Sequence, residues 1–113
     1  MKQPERRLES RFLCANLVRV SWTADDGFHE ADGNLDDVAP SGCRLLMDEG
    51  IPEKTSIAIR CDDTLFLGTV QYCHAGEIGF DLGIEFDRIG AWERGKFEPR
   101  HLLDVRKLRA EPE

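Results

Sequence analysis

The sequence predicts an all-β fold, an antiparallel barrel or sandwich of five or six short strands. Three observations carry that prediction. Apolar and polar residues alternate with a period of two in several stretches, most clearly over 78–87. There Phe80, Leu82, Ile84 and Phe86 face one way, and Asp81, Gly83, Glu85 and Asp87 the other. Turn signals rich in Gly, Pro and Asp separate these stretches at intervals of about eight to twelve residues. Only the C-terminal end shows a helical spacing. A closed barrel has the further merit of leaving no strand edge exposed.

The elements follow in order. Residues 1–12 read as an arm, in which 6–12 offer a turn of helix too short to be stable alone. Residues 13–22 read as the first strand, with Val18, Val20 and Trp22 alternating with Leu17, Arg19 and Ser21. Residues 23–34 are rich in Asp and Gly and read as a loop with a short strand at 28–31. The polar stretch 34–42 ends in the turn signal Pro40-Ser41-Gly42. A short apolar strand covers 43–47, and a loop with Gly50 and Pro52 covers 48–54. Over 55–61, Ile57, Ile59 and Cys61 share one face, and Ser56, Ala58 and Arg60 the other. Asp62-Asp63 makes a tight turn before a longer strand at 64–73, and Ala75-Gly76-Glu77 makes the next.

At the C-terminal end, Glu98-Pro99 is a fair helix start, because proline is tolerated in the first turn. Leu102, Val105 and Leu108 recur at a helical interval, and Arg106, Lys107 and Arg109 complement the dipole at the helix end. The expected organisation is an arm over 1–12, a barrel over 13–90 and a helical extension over 91–113. The extension is expected to pack on its own barrel rather than form a dimer face.

Composition narrows the function. One domain fits 113 residues, and 41% hydrophobic with 33% charged residues argues against disorder over the whole length. No apolar run approaches the roughly 20 residues that span a bilayer, and no apolar segment follows the basic N-terminus. A cytoplasmic protein without membrane insertion is therefore expected, as a monomer or weak dimer. The net charge of −7 argues against a nucleic-acid polymer as partner. That charge is unevenly spread: residues 1–19 carry +3 and the rest −10. A basic arm ahead of an acidic body can trap a small anion, or can simply be a solvated tail.

Catalytic signatures are missing: there is no Gly-x-Ser-x-Gly, HExxH, Walker A or GxGxxG sequence. His29, His74 and His101 are scattered, and the acidic pairs Asp25-Asp26, Asp36-Asp37 and Asp62-Asp63 read as turn formers. Cys14, Cys43, Cys61 and Cys73 form no CxxC and read as buried free thiols on strands. No enzyme, cofactor or metal is expected. A metal-dependent enzyme using Cys73, His74 and nearby carboxylates is the distant alternative, although adjacent strand residues point to opposite faces.

Two pieces stand out together. Arg7-Leu8-Glu9-Ser10-Arg11 is an RxxxR directly before the first strand, and Asp37-Val38-Ala39-Pro40-Ser41-Gly42 lies just before a later one. RxxxR alone is weak, since a chain with eleven arginines holds about one by chance. In this order, followed by Gly68-Thr69-Val70-Gln71-Tyr72-Cys73 and Leu82-Gly83-Ile84-Glu85-Phe86, the pattern resembles the PilZ domain family over residues 5–88. The resemblance implies a six-stranded antiparallel β-barrel with a flexible N-terminal arm and a short C-terminal helix. It also implies a receptor for the bacterial second messenger cyclic di-GMP that signals to a separate, unidentified effector protein. The implied ligand-binding residues are Arg7, Arg11, Asp37, Ala39 and Gly42, with Arg6 and Ser41 as secondary candidates. Ala39 departs from the commoner serine and removes one hydroxyl. In this family a basic residue at the position of Arg6 leans toward binding an intercalated pair of ligands.

The chemistry is coherent. An arginine fork binds phosphate bidentately, matches the O6/N7 edge of guanine and stacks on a base. Spacing of i, i+4 puts Arg7 and Arg11 on one side of a helical turn. A carboxylate at Asp37 would accept from the N1–H and N2–H₂ edge of guanine, which a phosphate contact cannot read. Gly42 would let the backbone approach the ligand or supply a positive φ. Each residue also has an ordinary alternative: solvated charges for the arginines, a turn former for Asp37, a turn glycine for Gly42. Arg44 either faces the site or points to solvent. A domain of the same barrel with a decayed site, serving protein interaction, is the main competing function.

Overall fold

The computed structural model describes residues 12–88 and 103–104. Its strands are β1 (Phe12–Ala24), β2 (Gly27–Ala39), β3 (Gly42–Met47), β4 (Ser56–Cys61), β5 (Thr64–Ala75), β6 (Phe80–Phe86) and β7 (Leu103–Asp104). All pairings are antiparallel. The strand order is β2-β3-β6-β5-β4-β1, and pairing of β1 with β2 closes the six into a barrel. No helix occurs among the described residues.

The barrel interior follows the alternation in the sequence. Val18, Val20 and Trp22 of β1, Ile57, Ile59 and Cys61 of β4, and Leu82, Ile84 and Phe86 of β6 all lie in the core. Leu35 and Val38 of β2, Cys43, Leu45 and Met47 of β3, Phe66 and Val70 of β5, and Ile51 from the β3–β4 loop complete it. Phe66 and Phe86 stack with centroids 5.2 Å apart. Strand residues two apart share a face, so one strip of apolar side chains per strand suffices.

Two expectations are corrected. Residues 23–34 form no loop: β1 and β2 make one long hairpin whose turn is only Asp25-Asp26, followed by Gly27 at φ +121°. Charge on the outer face explains the misreading. Glu30 and Asp32 point outward and take Arg19 across the hairpin, with Nη1–Oδ1 of Asp32 at 2.8 Å. Trp22 and His29, paired in register, stack at 5.3 Å. An antiparallel strand with a wet face tolerates such acidic residues. The second correction is the stretch 34–42, in which β2 continues to Ala39 and the turn shrinks to Pro40-Ser41.

Smaller differences follow from bulges and turns. β5 runs to Ala75 with a register shift between Val70 and Tyr72, and the next turn closes through Gly76 N–H to Gly79 O at 2.7 Å. The helix expected around Leu102 falls largely outside the described residues. Within it, Leu103 and Asp104 are extended as β7 and pair with Leu13 and Phe12. Their backbone hydrogen-bonding groups are thus met by a neighbouring strand rather than by a helical turn.

All four cysteines are free and lie on strands: Cys43 and Cys61 buried, Cys14 and Cys73 half-buried.

Candidate ligand-binding site

The site grows from the β2–β3 hairpin. A register shift between Leu35 and Asp37 leaves Asp36 as the extra residue of a bulge. Leu35 and Val38 face the core, so the bulge re-aims the intervening residues. Asp37 pairs with Arg44 on one side and with Leu13 of β1 on the other. Asp37 is therefore a strand residue, and the reading of Asp36-Asp37 as turn formers is corrected.

Asp37 is a buried carboxylate, only 4% exposed. Burying a charge is costly unless it is paired. Arg44 supplies an opposite charge, with Nε 3.6 Å from Asp37 Oδ2 and the guanidinium side chain 37% exposed. That separation is too long for a good hydrogen bond. Arg44 Nε is itself buried and has no hydrogen-bond partner. Arg44 thus faces Asp37 while remaining partly open to solvent.

Inside the wall beneath Asp37 lie thiols. Burial, helped by the Asp37 and Asp36 charges, pushes the Cys14 thiol up to about 12. Burial and then Asp37 raise Cys43 well above its ordinary value. Both thiols stay protonated at neutral pH, and Cys14 Sγ donates to Leu35 O at 3.4 Å. They are apolar filling here, without nucleophilic character.

Ala39 is buried at the end of β2 and pairs with Gly42. Gly42 does not have a positive φ, which among the described glycines occurs at Gly27 and Gly79. What it meets is the Ile84 carbonyl of β6, which lies where a Cβ would start. Its structural role is thus close approach of β3 to β6. Ser41 lies in the turn, where its carbonyl accepts from Phe86 N–H at 2.8 Å. Arg6, Arg7 and Arg11 lie outside the described residues. Phe12, which follows Arg11 directly, pairs with Val38, and Leu13 pairs with Asp37.

Residues the sequence did not single out complete the neighbourhood. On β6, Gly83 pairs with Arg44 on one side and with Tyr72 on the other. The Tyr72 ring covers Gly83 and fills the place of its missing side chain. Tyr72 also stacks on His74 at 4.7 Å. The row Asp37, Arg44, Gly83, Tyr72 therefore crosses four adjacent strands. The only hint in the sequence is the alternation of β6, in which Gly83 takes an outward position.

A shallow depression of about 630 Å³ lies elsewhere, lined by Trp22, Phe28, Lys54, Ile57 and Leu67 among others. Among the described residues, no group of three or more His, Cys, Asp or Glu is placed to hold a metal, and no helix is long and apolar enough to cross a membrane. No protein-family model matches the chain, and no curated protein matches it as a relative.

Proposed function

We propose that this chain is a PilZ-like receptor for cyclic di-GMP, an adaptor that passes second-messenger level to a partner protein. One observation carries most weight: β1 pairs with β2 so that Phe12 meets Val38 and Leu13 meets Asp37. That register sets Phe12 and Leu13, the residues that directly follow RxxxR in the chain, beside the strand that carries Asp-x-Ala-x-x-Gly in a closed six-stranded barrel. In the sequence the two motif halves are 26 positions apart, from Arg11 to Asp37. Arg7 and Arg11 would grip phosphate and the O6/N7 edge of guanine, and Asp37 would read the guanine N–H edge. Ligand binding would order the N-terminal arm against the barrel and alter the surface a partner meets. Such a module works in the cytoplasm without a cofactor or catalysis of its own.

One observation favours a second reading. Ala39 is buried and carries no hydroxyl, so the site offers one donor fewer than the commoner serine. A decayed site on a protein-interaction barrel would fit that loss. Isothermal titration calorimetry with cyclic di-GMP, against GTP and cyclic di-AMP, separates the two. Saturable binding to cyclic di-GMP alone is expected, and its stoichiometry reports on the role of Arg6. No heat and no shift in thermal midpoint would leave the interaction barrel as the function.

A further inference from the structure

We infer that Arg44 is a ligand-binding residue of this site, held by Asp37 until the ligand arrives. The inference rests on the cyclic di-GMP reading above and deepens it by adding a barrel-borne cation outside both motif segments. Three observations lead to it. Arg44 sits opposite Asp37 in the β2–β3 ladder, with a charge contact of 3.6 Å. Its Nε is buried without a hydrogen-bond partner, a state that is costly for a charged donor. Its other ladder neighbour is Gly83, which has no side chain of its own, and the ring lying there comes from Tyr72 one strand further on. Arg44 thus holds the ladder position between a carboxylate and a glycine covered by an aromatic ring, with its side chain 37% exposed.

A guanine nucleotide with a phosphate complements both members of the pair. The guanine N1–H and N2–H₂ edge donates to Asp37, and a phosphate oxygen or the O6/N7 edge accepts from Arg44. Arg44 Nε, which has no hydrogen-bond partner in the free protein, then gains an acceptor. In the absence of ligand the contact holds Asp37 at the position where guanine needs it.

Calorimetric titration of cyclic di-GMP into wild type, Arg44→Gln and Arg44→Lys tests the inference. Arg44→Gln keeps a donor toward Asp37 and removes the charge, so the barrel is expected to fold, checked by circular dichroism and thermal melting. Affinity is expected to fall about ten- to a hundredfold in Arg44→Gln, with a smaller fall in Arg44→Lys, which keeps charge but not the fork. Wild-type affinity in a folded Arg44→Gln protein would overturn the role of Arg44 and leave the receptor reading standing. Absence of binding by the wild-type protein would remove the receptor reading and the Arg44 role together.

Discussion

The carbonyl oxygen of Ile84 on β6 occupies the space that a side chain on Gly42 of β3 would need. The constraint is therefore a close approach between two strands at backbone level, and a backbone atom cannot rotate away. Gly42→Ala should push β3 from β6 and cost about 1–3 kcal/mol of stability, as overpacking does. Urea unfolding measures this directly. An unchanged midpoint with an unchanged slope would show that β3 and β6 can part without cost.

Gly83 and Tyr72 form a matched pair, with the ring covering the glycine. Gly83→Ala should destabilise the wild-type barrel and do so much less in a Tyr72→Ala background. A double-mutant cycle by chemical denaturation should return a coupling of about 0.5–3 kcal/mol. Additive effects would mean that the ring does not rest on the glycine in solution.

Arg7→Ala and Arg11→Ala should each weaken cyclic di-GMP about ten- to a hundredfold, through loss of a charge-assisted contact. Raising salt should weaken the wild-type interaction as well. Calorimetry at two ionic strengths reads both. Wild-type affinity in either variant would remove that arginine from the site.

Asp37→Asn changes an acceptor into a group whose NH₂ faces another donor edge on guanine. Cyclic di-GMP binding should be lost or reduced more than tenfold, on the order of a missing charge-assisted hydrogen bond. Retained binding of cyclic di-GMP over cyclic di-AMP in the folded variant would show that Asp37 does not read the base.

The thiols make stability fall in alkali. Burial, then the Asp62 charge, pushes Cys61 up to about 12 from an ordinary 9.0, and Cys14 is pushed up to about 12 mainly by burial. The folded state therefore keeps protons that the unfolded chain releases. Below pH 9 this contribution is fully present, and it is lost as pH rises from about 9 toward 12. Cys61→Ala should lower stability at neutral pH, because it opens a cavity, yet flatten the decline between pH 9 and 11. Equal slopes for the variant and wild type would exclude the Cys61 thiol as a source of that decline.

The elements differ in how readable they were. β6 was legible because Phe80, Leu82, Ile84 and Phe86 all turn inward, and nothing in its outer face contradicts a strand. β2 was not, because Glu30, Asp32, Asp36 and the two glycines Gly27 and Gly33 resemble a loop by composition. Its strand character depends on Arg19 and Trp22 of β1, which meet it only once the hairpin forms. Of the site, the residue types of both motif segments could be read, but the contact of Arg44 with Asp37 could not. A bulge at Asp36 decides which face Asp37 takes, and no local pattern announces it.

The sequence by itself determined the all-β class, the inward strips of β1, β4 and β6, and the acidic body behind a basic N-terminal segment. Those follow from strand geometry, which alternates side chains with a period of two whatever the partner strand. Tertiary structure alone decided closure through β1 and β2, the approach of Gly42 to Ile84, and the row from Asp37 through Arg44 and Gly83 to Tyr72. These depend on register between residues far apart in the chain, and register is set by how whole faces pack together rather than by any one segment.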